Sequence, residues 1–216
     1  MSVNVAPKRT KATQGTTKKD LRLAKIYTTA AQIIERDGYD ATSLGDIAKA
    51  VGLTKAGLYH YIPSKDNLLF GIMNYGMDRV DEVVIEPTRT IADPELRMRT
   101  FISNYFNLII EDGLAMTLVI TESQGLTPNQ HRVIAKRRRA FYDCLRATIR
   151  EIKDAGMAPV LDVAVTTHSV FGVLVAFAQW YRPHGPMTLQ QVIDQITELT
   201  VGRMVGVRLK RPDKSS

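Results

Sequence analysis

The stretch from Thr42 to Lys65, TSLGDIAKAVGLTKAGLYHYIPSK, restricts the possible folds more than any other part of the chain. Leu44, Ile47, Ala48 and Val51 recur at helical spacing, Gly52 supplies a stop, and Thr54 can cap a second short helix running from Lys55 to Tyr61. Two short helices about a tight turn outline a helix-turn-helix, whose second helix can enter a DNA major groove. With Leu53 and Leu58 assigned to the core, that helix keeps Lys55, Ala56, Gly57, Tyr59, His60 and Tyr61 on its surface. Ala56 and Gly57 are small enough for close approach to base edges, and Lys55, Tyr59, His60 and Tyr61 can donate to bases or phosphates. A merely solvent-facing polar surface is the competing explanation.

The pairs Gly38-Tyr39, Thr42-Ser43, Ile47-Ala48, Leu58-Tyr59 and Ser64-Lys65, with the Gly52-Leu53-Thr54 turn, resemble the pattern of the TetR family of bacterial transcriptional regulators. Ile62 stands where that family usually has Phe, and the motif covers about residues 21 to 70. The resemblance implies a homodimer paired through its last two helices, a helical chamber for a small effector, and a backbone-phosphate contact at Lys65. Ser64 can cap the helix that Lys65 opens, which places a positive dipole end beside the recognition helix. Thr42, Ser43, Thr54 and Lys65 are therefore expected on phosphates, and Lys55, Ala56, Gly57, Tyr59, His60 and Tyr61 in the groove.

Charge placement agrees with a polyanion partner. Residues 1–65 hold 11 Lys or Arg against 5 Asp or Glu, whereas the remainder holds 18 against 17. Nearly all of the net +7 therefore sits with the helix-turn-helix, and binding there should weaken steeply with salt. Residues 1–17 are polar, with Pro7, Gly15, Lys8, Arg9 and Lys11, and read as a flexible basic arm that either solubilises the chain or lies on DNA.

Other function classes find little support. Cys144 is the one cysteine, so no intramolecular disulfide or CxxC motif exists, which fits a reducing cytoplasm. No apolar signal-peptide core opens the chain, and the most apolar run, Ser169 to Trp180, is short for a membrane span and contains Gln179. Gly52 to Gly57 has the GxxxxG spacing of a phosphate loop, yet Leu58-Tyr59 follows where Lys and Ser or Thr are required. There is no GxSxG or HExxH, and His60, His131, His168 and His184 lack ligand spacing. No catalytic residue, metal or cofactor is expected.

The organisation expected is all-α throughout. A helix from about Lys19 to Asp37 carries the stripe Leu23, Tyr27, Ala30 and Ile34 and closes a three-helix DNA-binding domain over residues 18–66. A larger helical effector-binding and dimerisation domain follows over 67–210, with a tail at 211–216. Its helices are expected near 94–111, 114–122, 128–155, 159–181 and 189–209, beyond punctuation at Pro87. Val160 to Trp180 is apolar on nearly every face and must be covered on both sides; with the seam Leu189, Val192, Ile193, Ile196 and Leu199 it could form a twofold four-helix interface.

Phe101, Tyr105, Phe106, Met116, His168, Phe171 and Trp180 are candidate walls and polar handles of the chamber, although for each one taken alone a core role is the more ordinary reading. The cationic run Lys136 to Arg139 and the segment Gln179 to Pro183 look similar to TetR-family regulators of fatty-acid or steroid catabolism, whose effectors are often acyl-CoA thioesters. A solvated helix face explains the same run without a ligand. The expected function is a homodimeric repressor that binds a palindromic operator and is released by a small apolar or acyl-CoA-type effector. A DNA-binding architectural protein or activator without small-molecule control is the alternative.

Overall fold

The computed structural model of the chain describes residues 17–111, 126–158, 162–182 and 185–207, and every regular element among them is helical. Helix α1 (Lys18–Asp37) opens with a reciprocal cap: the Asp20 N–H donates to Thr17 Oγ1 at 3.2 Å and the Thr17 N–H to Asp20 Oδ2 at 2.9 Å. Ser43 and Asp46 repeat the device at α2 (Leu44–Ala50). Thr54 caps α3 (Lys55–Tyr59), and Ser64 caps α4 (Lys65–Val80) through the Asn67 N–H. Between α2 and α3 the chain reverses at Gly52, whose φ of +71° lies where a Cβ is unfavourable. The Leu53 N–H then bonds back to the Ala48 carbonyl at 2.8 Å, closing the turn.

A small core holds these helices together. Ile26, Ala30, Ala31 and Ile34 of α1 meet Ile47 and Ala48 of α2, Leu58 of α3, and Ile62, Leu68 and Ile72. Ala30 and Ile34 of the expected stripe are buried and Leu23 and Tyr27 only partly so, while Ile26 and Ala31 add buried surface outside that stripe. Ile62 is 1% exposed and fills its core position as an aliphatic residue.

Helix α4 serves two cores, so the boundary expected at residue 66 falls at a shared element. Leu68 and Ile72 face the small core, whereas Leu69, Met73 and Met77 pack with Ile134 of α7 (Pro128–Asp154). Beyond Val80 the helix widens into a π segment, Asp81–Ile85, and continues as α5 (Glu86–Arg89). Pro87 therefore lies inside a continuing helical run rather than ending it. The widened turn removes the need for its missing N–H and relieves the clash with the preceding turn.

The larger core gathers α6 (Pro94–Glu111), α7, α8 (Val163–Trp180) and α9 (Leu189–Thr197) around Met98, Phe101, Ile102, Phe106, Leu145, Leu174 and Phe177. Asp162 caps α8. The last expected helix divides, because α9 widens into a second π segment, Glu198–Val205, closed by Gly206 at φ +84°. The expected 114–122 helix, residues 1–16 of the expected 1–17 arm and the tail over 211–216 lie outside the described residues, while Thr17, the last residue of that arm, caps α1.

Since nothing lies within 4 Å of a Cβ built at Gly52, replacing it tests backbone strain without a clash. Gly52→Ala is expected to destabilise the protein by about 1–2 kcal/mol in urea denaturation.

Candidate nucleic-acid interface

Helix α3 is short, and its orientation rests on one buried residue. Leu58 is 1% exposed and anchors it to the small core, leaving Thr54, Lys55, Ala56, Tyr59 and His60 on the outside. Gly57 and Tyr61 are half-buried. The Gly57 N–H donates to Thr54 Oγ1 at 3.0 Å, and a Cβ at Gly57 would sit only 3.1 Å from that oxygen. Small size at Gly57 thus serves the cap as well as any approaching surface. Among the described residues, the side chains of Lys55, Tyr59 and His60 make no hydrogen bond or ion pair. Tyr59 is 44% exposed, and its ring has no aromatic or hydrogen-bond partner among the described residues.

The flanking positions divide. Ser43 is exposed, but its hydroxyl is occupied by Asp46, and that hydrogen bond, followed by the one from the Ser43 backbone, holds the Asp46 carboxyl below the usual carboxylate range. The expectation for Thr42 is corrected: Thr42 is 3% exposed and its hydroxyl donates to the Gly38 carbonyl at 2.8 Å. It fixes the turn between α1 and α2 and has no hydroxyl left for a phosphate. Lys65 is half-buried; its Nζ donates to the Asp40 carbonyl at 3.2 Å and lies 4.4 Å from the centre of the Tyr39 ring. Its charge is therefore held at the start of α4, beside the Ser64 cap. Tyr39 and Asp40 complete this arrangement; the Gly38-Tyr39 pair marks Tyr39 in the sequence, whereas only its place after that pair marks Asp40.

The chamber candidates also separate. Phe101, Tyr105 and Phe106 are buried on α6, and Phe171 is half-buried on α8. Phe141 and Phe177, which no sequence motif singles out, join them: Phe101–Phe141 ring centres are 5.0 Å apart, Tyr105–Phe141 5.4 Å, Phe141–Phe171 6.1 Å and Phe106–Phe177 4.4 Å. Burial pushes the Tyr105 hydroxyl pKa up. His168 and Trp180 are corrected out of this enclosed set. His168 is exposed against Tyr142, and Trp180 is 50% exposed, edge-on to Phe177. Met116 lies outside the described residues.

Residues 26–72 match the family model of bacterial regulatory proteins of the tetR family, and residues 92–204 match the tetracyclin repressor-like C-terminal domain. The chain belongs to the TetR family of transcriptional regulators. This TetR-family regulator is 27% identical over 191 residues to the transcriptional repressor KstR2 of Mycobacterium tuberculosis, covering 84% of this chain and 92% of that protein. It is 23% identical over 198 residues to the transcriptional activator FasR of Mycolicibacterium smegmatis, covering 89% and 87%. A solved structure of AibR with isovaleryl coenzyme A and operator DNA is 32% identical with a TM-score of 0.76, over 82% of this chain and 97% of that one. PfmR from Thermus thermophilus is 28% identical with a TM-score of 0.75, over 82% and 96%. The protein is thus an all-α DNA-binding transcriptional regulator of a family that does not catalyse reactions.

Removing the Thr42 hydroxyl separates the two roles considered for it. Thr42→Val is expected to cost about 1–2 kcal/mol of stability in urea while leaving the DNA affinity of the folded regulator unchanged in fluorescence anisotropy.

Proposed function

We propose that the protein is a homodimeric repressor that reads a twofold-symmetric operator and is released by a small effector with an acyl thioester or similarly apolar body. The single observation that carries the DNA-reading part is the outer face of α3, where Lys55, Tyr59 and His60 stand without hydrogen-bond or ion-pair partners among the described residues, on a helix fixed by Leu58. Lys55, Ala56, Gly57, Tyr59, His60 and Tyr61 form the groove-facing set, with Ser43, Thr54 and Lys65 toward phosphates. One α3 reads few base pairs, so two of them, about one DNA turn or ~34 Å apart, would read a palindrome.

Helix α8 supports the dimer. It is long and apolar enough by length and composition to cross a membrane, and only 28% of it is buried within the chain. Val165 at 65%, Trp180 at 50% and Leu199 at 59% exposed are an apolar surface that a second copy would cover. Thr166, Thr167 and His168 lie inside this helix, so the uninterrupted apolar run from Ser169 is only part of it.

The effector part draws on the aromatic cluster between α6, α7 and α8, and on the isovaleryl coenzyme A held by AibR. A ligand that favours a dimer geometry with wrongly spaced α3 helices would release the operator, provided its affinity for the two geometries differs. The protein would act in the cytoplasm, where its operator lies.

The test is selection of DNA from a random pool, followed by anisotropy titration against scrambled duplex, with and without acyl-coenzyme A thioesters. Two chains per selected duplex and release by one thioester are expected. Tyr59→Ala should weaken specific binding by about 1–3 kcal/mol. Unchanged operator affinity in a folded Tyr59→Ala dimer overturns the assignment of the groove-facing helix.

A further inference from the structure

The four cations of the run Lys136 to Arg139 have different fates. Lys136 is exposed. Arg137 pairs with Asp78 and Asp81 of the α4 run, and Arg139 with Asp143 one turn along α7. Among the described residues Arg138 has no hydrogen-bond or ion-pair partner. Its Nη2 is shielded from solvent without a hydrogen bond, and burial lowers its pKa with no acid opposing the effect. Arg146, the other arginine with an unpaired buried atom, lies close enough to Asp162 to help lower that carboxyl's pKa.

The position of Arg138 on the helix sharpens the anomaly. Ile134, Arg138, Phe141, Leu145, Thr148 and Ile152 follow one another at intervals of four and three, so they share one face of α7. The other five are all buried, at 2%, 5%, 1%, 4% and 0% exposed in that order. Arg138 itself is half-buried, with its Nη2 shielded, and a guanidinium so placed loses part of its hydration without a counter-charge unless an anion meets it. Its neighbours on the stripe define where that anion would lie. Ile134 belongs to the cluster with Leu69, Met73 and Met77 of α4, and Phe141 to the aromatic cluster with Phe101, Tyr105 and Phe171. Arg138 therefore sits at the seam between the helix that leads to the DNA-binding domain and the aromatic interior.

We infer that Arg138 is the anion anchor of the effector site, taking an oxyanion of an amphiphilic acid whose apolar body lies against the aromatic cluster around Phe141. This inference rests on the effector-responsive reading proposed above. It adds that the effector carries a negative group at the α4 seam, and that one planar guanidinium, able to bind two oxygens at once, recognises it. A carboxylate and a thioester's coenzyme A phosphate both offer that chemistry. An anion arriving beside Arg137 and Ile134 would also reach the two groups through which α7 holds α4.

The experiment compares the full-length protein with Arg138→Met, which keeps length and removes charge, and Arg138→Lys, which keeps charge. Binding of octanoate, octanoyl-coenzyme A and octanol is read by calorimetry and thermal melting without DNA. The wild type is expected to bind one or both acids in preference to octanol. Arg138→Met should lose about tenfold to a hundredfold in that acid's affinity, retain its octanol affinity, and melt no lower than the wild type when free. Arg138→Lys should fall between them. Preference for octanoate identifies a carboxylate, and preference for octanoyl-coenzyme A a phosphate. Equal acid affinity in Arg138→Met overturns the inference, as does wild-type binding of octanol as strong as of either acid, or of no probe. A free Arg138→Met that melts well below the wild type overturns it in favour of a structural role. Acid binding through Arg138 that leaves operator affinity unchanged would instead sink the proposed switch while keeping the anchor.

Discussion

The Arg137 guanidinium, half-buried on α7, donates to Asp81 Oδ2 at 2.7 Å and to both the carbonyl and side-chain oxygens of Asn74 at 3.1 Å, and lies 2.7 Å from Asp78 Oδ1. Burial alone would lower its pKa, but the hydrogen bonds to Asp81 and Asp78, with the charges of both acids, outweigh that effect and hold it above the usual value. Such a partly desolvated fork contributes more to geometric specificity than to net stability. Here it fixes where α7 lies along α4. Ile134 adds the apolar half of the same contact against Leu69, Met73 and Met77. The two helices are therefore joined by a polar and an apolar contact, and the opposite face of α4 packs through Leu68 and Ile72 on the core that holds Leu58 and α3.

This chain of contacts gives a physical route from the larger domain to the DNA-facing helix. Each link is a packed or hydrogen-bonded pair rather than mere proximity. The route runs through side chains of opposite character, with a charged fork at the π segment and aliphatic packing one turn away. Under the proposed function, a ligand that prefers one arrangement of α7 over another would change the spacing of the two α3 helices along this route.

The DNA-binding domain is largely legible in the sequence because its determinants are local. Ser43, Thr54 and Ser64 cap the helices they precede, Gly52 takes the positive φ its turn needs, and Leu58 supplies the buried anchor. Thr42 misleads for the same reason: its motif position next to Ser43 suggests a shared role, whereas the fold turns its hydroxyl inward to Gly38. Lys65 needs tertiary information, since the Asp40 carbonyl that holds it is 25 residues away. In the larger domain, helix starts at Pro94 and Pro128 follow from punctuation, but the π segments at Asp81–Ile85 and Glu198–Val205 have no short-range signature. Which aromatic residues meet is equally hidden, because Phe141 and Phe177 share no motif with Phe101 or Phe106. The cationic run of α7 reads as one feature in sequence, whereas in the fold Lys136 is exposed, Arg137 forms the fork to α4, Arg138 is unpaired among the described residues and Arg139 pairs with Asp143 one turn along α7.

The most direct measurement of this account is the coupling between effector and operator in Arg137→Met, compared with the wild type, using the thioester and the selected duplex. Anisotropy titrations with and without saturating ligand give the ratio of operator affinities for each protein. If the fork transmits the change, the wild type shows a large ratio, while Arg137→Met binds the duplex with a ratio reduced toward one. A folded Arg137→Met dimer that retains the full wild-type ratio would contradict the account, because α7 would then communicate with α3 by a path that does not use this contact.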